Sequence, residues 1–237
     1  MYARTSRGAK HWVSLLAVAG LVVLALQGAV AAQSLTAADL PVTFDPLKSA
    51  HRELFEPMFG TPFNLGFDPV GTLVFYMGTD LAQYPGDVYS NIRYVLIKSE
   101  DLAYPTLEFD ARGGTEGSGN PSHVVIFGWQ DYKNYYYVYA AESPETRVAR
   151  VVDGQHQTLY RHGSVIWYRD RDKYQHLKVE LANVDGKTVV NTYVNGELAM
   201  SYTFPAGQEP PAGRVGLGGW NGAHSAYFKN IRLSAAR

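Results

Sequence analysis

The 237-residue chain contains no cysteine. It can therefore form no disulfide and carry no lipid anchor attached to a cysteine. A folded domain in this chain has to be held together by its hydrophobic core alone, and about 200 residues are enough to build such a core.

The chain also lacks a basic tract. Its first 32 residues hold three of the 21 Lys and Arg residues and none of the 22 Asp and Glu residues, so the remainder has a net charge of −4. A mildly acidic protein of this kind is a poor candidate for binding nucleic acid or anionic lipid. The sequence contains neither a G-x-S-x-G motif nor a phosphate-binding loop.

The N-terminus has the pattern of a secretory signal. Three basic residues precede an almost purely apolar run over 12–26, and small residues follow, with cleavage expected after Ala31 or Ala32. The run is shorter than the roughly 20 residues of a membrane helix, although an uncleaved anchor is the alternative. We predict a signal peptide over 1–32, one domain over 33–237, export to the periplasm or beyond the cell, and no membrane span after cleavage.

Aromatic residues, glycine and short strand-like runs are what the chain does have. It contains 17 Tyr, 10 Phe and 4 Trp with 23 Gly and 12 Pro, which is typical of an all-β domain. Asp153-Gly154 and Asn195-Gly196 each separate two strand-like runs by two residues, which predicts hairpins. Ser49–Phe55 is the one short helix candidate after the signal. We predict two packed antiparallel sheets, with a closed barrel as the alternative.

The strand-like run His123–Trp129 is apolar at both alternating sets of positions. This pattern predicts a strand in a sandwich whose second face is also covered. Val42–Phe44 is a candidate first edge strand, and we expect it to pair with the last strand near Tyr227–Leu233.

Three segments carry a resemblance to a known family. These are FGWQDYKNYYYVYAA, HLKVELANVDGKTVVNTYVNGELAMSYTF and GRVGLGGWNGAHSAYFKNIRL, which together cover roughly Val124 to Leu233. They resemble secreted bacterial domains with the concanavalin A-like, or laminin G-like, jelly roll, near the keto-disaccharide hydrolase-like group. The resemblance implies an all-β antiparallel sandwich. Its members include lectins, adhesion modules, glycoside hydrolases and polysaccharide lyases, so function has to be argued from the site.

Two carboxylates are spaced as in a glycosidase of this fold. Glu108 and Asp110 are two positions apart on a predicted strand, and retaining hydrolysis needs two carboxyl groups about 5 Å apart. The third carboxylate of the laminarinase-like pattern is missing, because Arg112 and a glycine follow and Glu116 lies in a glycine-rich loop. An ordinary strand with a paired arginine is the competing interpretation.

A histidine offers a second catalytic candidate. Three segments resemble motifs of alginate lyase-type jelly rolls: Arg52-Glu53-Leu54, Gln155-His156-Gln157 and Tyr227-Phe228-Lys229. The resemblance would make His156 a base that removes a proton. The residues around these motifs do not match that pattern, and chance similarity explains them better.

Metal sites have little support in the sequence. The seven histidines show no metal-ligand spacing. Calcium is possible, since jelly rolls often hold it through loop oxygens, and Asp80 and Asp87 are the candidate ligands. A solvated loop is the competing interpretation.

The aromatic residues suggest carbohydrate binding, because the C–H faces of sugars stack on Trp and Tyr rings. Alternation predicts that the tyrosines of the second strand share one face, and the competing interpretation is that most of them are core. The candidate set is Trp129, Tyr135, Tyr137, Tyr139, Trp220, Asn221, Arg93 and Arg147. We predict a polysaccharide-binding, lectin-like protein. A glycoside hydrolase or polysaccharide lyase is the first alternative, and a structural or adhesion module is the second.

Overall fold

The computed structural model describes residues 33–68, 70–78, 83–86, 89–113, 122–141, 145–163, 173–220 and 225–236. Within these ranges the chain forms fifteen strands, a 3-10 turn (Ala37–Asp39) and a short helix α1 (Ser49–Arg52). The strands are β1 (Val42–Thr43), β2 (Phe55–Pro57), β3 (Phe63–Phe67), β4 (Leu73–Met77), β5 (Ile92–Ile97), β6 (Pro105–Gly113), β7 (Ser122–Asp131), β8 (Asn134–Ala141), β9 (Thr146–Val152), β10 (Gln155–His162), β11 (Gln175–Val184), β12 (Lys187–Val194), β13 (Glu197–Thr203), β14 (Arg214–Trp220) and β15 (Ala226–Ala235).

The described strands form two antiparallel sheets. The eight-stranded sheet has the order β13-β12-β11-β6-β15-β4-β3, with β1 also paired to β15. The seven-stranded sheet has the order β10-β9-β8-β7-β14-β5-β2. Apolar side chains from both sheets form one buried core between them. The predicted sandwich is therefore confirmed, and the closed barrel is not the architecture.

The predicted hairpins form where the sequence places them. The Asp153-Gly154 turn joins β9 to β10 and the Asn195-Gly196 turn joins β12 to β13, with positive φ at all four residues. A two-residue turn of this type requires left-handed backbone at both positions, which Asn, Asp and Gly adopt most readily. Asp185-Gly186 makes a third such turn, between β11 and β12, that the sequence analysis did not single out.

The N-terminal part of the domain was only partly predictable. Val42 pairs with Leu233, which confirms the expected contact between the first and last strands. The helix begins at Ser49, as predicted, but ends at Arg52. Strands β2 and β3 were not predicted because prolines interrupt the segment. Pro57 is tolerated because it ends β2, which lies at the edge of its sheet.

The seven-stranded sheet has a second buried face, opposite the core between the sheets. On β7, Val125 and Phe127 belong to the core between the sheets, whereas Val124 and Ile126 belong to a separate buried cluster. That cluster draws its buried members from β5, β7, β8 and β9 alone. The prediction that this strand is covered on both faces is therefore confirmed. We call this second face of the seven-stranded sheet the aromatic face.

Candidate functional site

Two of the predicted sugar-stacking tyrosines lie inside the protein. Tyr135 and Tyr137 are on the aromatic face, with relative exposures of 1% and 0%. The predicted alternation is therefore correct, but a sugar arriving from solvent cannot stack on either ring. We correct their assignment from a binding platform to a second core.

The cover over these rings comes from two connecting segments. The ring of Phe59 lies 4.7 Å from that of Tyr84 and 6.5 Å from that of Tyr94, measured between centroids. Burial raises the pKa of Tyr94 to about 12, and it raises the pKa of Tyr84 and Tyr135 still further. These phenols stay neutral and act as packing residues.

Three of the predicted residues come together at one end of the aromatic face. The Tyr139 and Trp220 rings meet edge to face with centroids 5.5 Å apart, and the Arg147 guanidinium lies 4.6 Å above the Tyr139 ring. Both rings are only partly buried. We call Tyr139, Arg147 and Trp220 the rim patch.

An acidic residue beside the rim patch fixes its arginine. The Glu145 carboxylate lies 2.9 Å from Nε of Arg147 and 3.5 Å from Nε of Arg161. One carboxylate therefore faces two guanidinium groups. A guanidinium held over an aromatic ring is preorganised to donate hydrogen bonds.

Trp129 is partly buried at another point of the aromatic face, and its indole Nε1 donates a 3.3 Å hydrogen bond to the Tyr94 hydroxyl. The Arg214 guanidinium lies 5.3 Å above its ring and is also paired with Glu56 at 2.5 Å. Trp129 is not among the aromatic partners of the rim patch.

His156 is on β10, at the edge of the seven-stranded sheet. Its ring stacks on Tyr89, with centroids 4.7 Å apart and planes inclined by 17°. Burial lowers the pKa of His156, and the positive charges of Arg147 and Arg161 lower it further. His156 therefore remains neutral at neutral pH.

Glu108 and Asp110 lie on the opposite side of the sandwich. Alternation along β6 puts Leu107 and Phe109 in the core between the sheets, so both carboxylates are on the outer face of the eight-stranded sheet. His156, on the seven-stranded sheet, is therefore not part of the same site.

A histidine that the sequence analysis did not select stands beside the two carboxylates. His176 Nδ1 lies 2.9 Å from Oδ1 of Asp110, and its Nε2 lies 3.9 Å from Oε2 of Glu108. Since an ionised carboxylate only accepts, Nδ1 carries the proton of the shorter contact. Asn230 donates a 2.6 Å hydrogen bond to the second Asp110 oxygen, and Arg232 lies 3.8 Å from Glu108. The sequence indicated only that His176 occupies a polar position on β11, in which apolar and polar residues alternate.

Arg93 cannot contact a polysaccharide. Its relative exposure is 0%, and alternation along β5 places it on the same side as Val95 and Ile97 of the core between the sheets. The assignment of Arg93 to the candidate set is therefore wrong, since all six positions of its strand are buried.

Several predicted features lie outside the described residues: Asn221, the calcium candidates Asp80 and Asp87, and the signal segment 1–32. Among the residues that the structure describes, no group of three or more His, Asp or Glu side chains is arranged to hold a metal ion. No helix in that part of the chain has the length and hydrophobicity needed to cross a membrane.

No protein-family model matches the sequence, and no curated protein matches it. The fold, in contrast, has many solved counterparts. Carbohydrate-binding module CBM66 from Bacillus subtilis is similar at a TM-score of 0.55 with 17% identity, over 77% of this chain and 96% of that one. The Crh5 transglycosylase in its apo form gives a TM-score of 0.54 with 10% identity, over 86% of this chain and 88% of that one.

The carbohydrate recognition domain of Emp46p, in its potassium-bound form, gives a TM-score of 0.54 with 12% identity, over 81% of this chain and 95% of that one. At these identities the likeness concerns the fold alone. The two-sheet topology agrees with that of these counterparts, and the chain has an antiparallel, concanavalin A-like jelly-roll fold.

Proposed function

We propose that this protein binds carbohydrate through the rim patch. The observation that carries the proposal is the joining of Tyr139, Trp220 and Arg147, which come from three different strands, into one partly exposed group. Two rings at an angle, with a guanidinium beside them, offer both stacking and directed hydrogen bonds.

The physical chemistry of sugars matches this arrangement. A sugar ring has apolar C–H faces, which stack on aromatic rings, and hydroxyl groups, which need hydrogen-bond partners. Arg147 supplies only donors, so it binds hydroxyl or carboxylate oxygens. The structural counterparts include a carbohydrate-binding module and a carbohydrate recognition domain, which supports the proposal at the level of the fold.

The cellular setting belongs to the same proposal. We place the protein outside the cytoplasm, on the strength of the signal pattern over 1–32, and near the keto-disaccharide hydrolase-like group of the superfamily. A polysaccharide of the cell envelope or the surroundings is then the expected ligand.

Affinity electrophoresis tests the proposal. The protein without 1–32 is run through gels that contain laminarin, levan, xylan, alginate or polygalacturonate. We expect one of them to retard the wild type, and Trp220→Ala to lose about tenfold in affinity because a stacking ring is removed. Trp129→Ala is the matched control, since it removes another partly buried tryptophan that lies outside the rim patch. Equal retardation of both variants, or none of the wild type by any polymer, would refute the proposal.

Glycoside hydrolysis is a second candidate function, and the contact between His176 and Asp110 favours it. Asp110 and Glu108 project from the same face of β6, with their Cα atoms about 7 Å apart along the strand. Glu108 would protonate the departing glycosidic oxygen while Asp110, positioned by His176 and Asn230, attacks the anomeric carbon and forms a glycosyl ester. A water molecule would then hydrolyse that ester, with Glu108 taking the proton of the water. The transglycosylase among the structural counterparts is compatible with this use of the fold.

Release of reducing ends from the same polysaccharides tests this second candidate. Glu108→Gln keeps the shape of the side chain and removes the acid, so turnover is expected to disappear. Glu180→Gln is the control, because Glu180 has a similar exposure on the same outer face and is paired with Lys178 at 3.1 Å. Turnover that survives Glu108→Gln would remove this assignment.

A further inference from the structure

An open pocket lies between the Asp153-Gly154 turn and the segment that leads into β5. Its volume is about 410 Å³, within the range of small-ligand sites. The side chains around it are those of Tyr89, Ser90, Asn91, Gln155 and His156. Residues of the loop and of the edge strand β10 therefore line a single concave surface.

Among the described residues that line the pocket, none is Lys, Arg, Asp or Glu. Each of its polar groups can both donate and accept a hydrogen bond: the Ser90 and Tyr89 hydroxyls, the Asn91 and Gln155 amides, and the neutral His156 imidazole. A ligand that also both donates and accepts, at several neighbouring positions, complements such a lining. A set of sugar hydroxyls has this property, whereas a carboxylate or a phosphate only accepts.

The orientation of the His156 ring is fixed, but its hydrogen-bonding capacity is not fully used by the described residues. Its stack on Tyr89 fixes the ring plane, and the ring centroid of Tyr137 lies 6.1 Å from that of His156. Nε2 of His156 is shielded from solvent and has no hydrogen-bond partner among the described residues.

We propose that this pocket holds one uncharged sugar residue, with Tyr89 packed along the site and Ser90, Asn91, Gln155 and His156 binding its hydroxyls. The inference extends the proposed carbohydrate binding by adding a second subsite and by naming the charge of the sugar that occupies it.

The pocket and the rim patch lie on the same sheet. His156 is directly opposite Val151 of β9, and Arg147 is four residues earlier on that strand. Four strand residues span about 13 Å. A ligand that uses both sites is therefore an oligosaccharide of several residues.

The experiment is an NMR titration of the protein without 1–32, observing the histidine ring signals. The probes are D-glucose, D-galactose, D-mannose and D-fructose, with D-galacturonate as the charged comparison. We expect at least one neutral sugar to shift the His156 ring signals saturably, and His156→Phe, which keeps an aromatic ring against Tyr89, to weaken that sugar about tenfold. His162→Phe is the matched control, since His162 is on the same strand and its ring lies 6.2 Å from that of Tyr160.

Gln155→Ala provides a second test that leaves the aromatic stack untouched, and it is expected to weaken the same sugar several-fold. No His156 shift with any neutral sugar, a response to galacturonate alone, or unchanged affinity in both pocket variants would overturn the inference. The rim patch is tested separately by Trp220→Ala. If no neutral sugar shifts the His156 signals but retardation in the gels still depends on Trp220, the subsite is refuted and the proposed function is not.

Discussion

The Trp129 indole donates a hydrogen bond to the Tyr94 hydroxyl at 3.3 Å. The two residues are on β7 and β5, which are separated in the sheet by β14. Glycines of β14 make this possible, because Gly216 and Gly218 present no side chain between the two strands. Most aromatic residues of this face therefore pack against one another, and those at its margin are the ones that a ligand can contact.

Removal of the Tyr94 hydroxyl measures that contact. Tyr94→Phe deletes the acceptor of the indole and leaves the ring packing in place. A net hydrogen bond is worth about 1 kcal/mol, so we expect the free energy of unfolding in urea to fall by about that amount. Tyr132→Phe, at a ring that is 39% exposed, is the control and is expected to have no effect. Equal stability of wild type and Tyr94→Phe would show that the bond contributes nothing.

Alkaline titration tests the burial of the tyrosine cluster. The folded pKa of Tyr94, about 12, is above the ordinary value near 10, and the pKa of Tyr135 is raised further, in both cases chiefly by burial. Above pH 10 the unfolded chain loses these protons more readily than the folded chain does, so stability falls as the pH rises towards 12. We expect part of the tyrosinate absorbance to appear only together with loss of the folded circular dichroism signal. Complete ionisation of all tyrosines in the folded protein would contradict the buried assignment.

A buried histidine makes stability depend on pH in the opposite sense at low pH, where the free energy of unfolding decreases as the pH falls. His123 is on β7 with 1% relative exposure, and burial lowers its pKa to about 4. Between pH 6.5 and 4 the unfolded chain binds a proton that the folded chain does not, so stability is full above pH 6.5 and is lost as the pH falls. The pKa of the folded state is about 2.5 below the ordinary value, which corresponds to a loss of roughly 3 kcal/mol of stability at most.

Urea unfolding at a series of pH values between 7.5 and 4 measures this loss. The control is His123→Leu, which removes the titrating group. The variant is expected to be less stable at neutral pH but to show a correspondingly flatter dependence on pH. If wild type and variant have parallel profiles, His123 is not the source of the acid sensitivity.

The sequence predicts the architecture well because the architecture depends on local signals. Asp153-Gly154 and Asn195-Gly196 specify their hairpins through backbone preference alone, and the two-sided apolar pattern of His123–Trp129 indicates a sheet covered on both faces. These signals are complete within a few residues of the chain. They need no knowledge of what lies across the sheet.

The candidate site was harder to predict because its members meet only through strand pairing. Alternation gave the correct shared face for Tyr135, Tyr137 and Tyr139 but not their different burial, which depends on the two connecting segments that carry Phe59 and Tyr89. Arg93 was a candidate for contact with a ligand because it is charged, yet its strand is buried on both faces. The contact between His176 and Asp110 joins residues 66 positions apart, and a single sequence gives no indication of that register.

Gly216 provides the sharpest test of the packing beneath the aromatic face. A Cβ built on it would overlap the carbonyl oxygen of Val95 and would lie 3.1 Å from Cδ2 of Leu96. The obstruction is neighbouring backbone, so Gly216→Ala has to push β5 away from β14, and overpacking of this kind costs about 1–3 kcal/mol.

Gly66→Ala is the matched control, because its Cβ would make an ordinary 3.5 Å contact with Tyr76. We expect thermal unfolding to show a clearly lower melting temperature for Gly216→Ala and no loss for Gly66→Ala, since alanine disfavours a strand less than glycine does. Equal melting temperatures for the two variants would mean that β5 and β14 are not packed as closely as the structure shows.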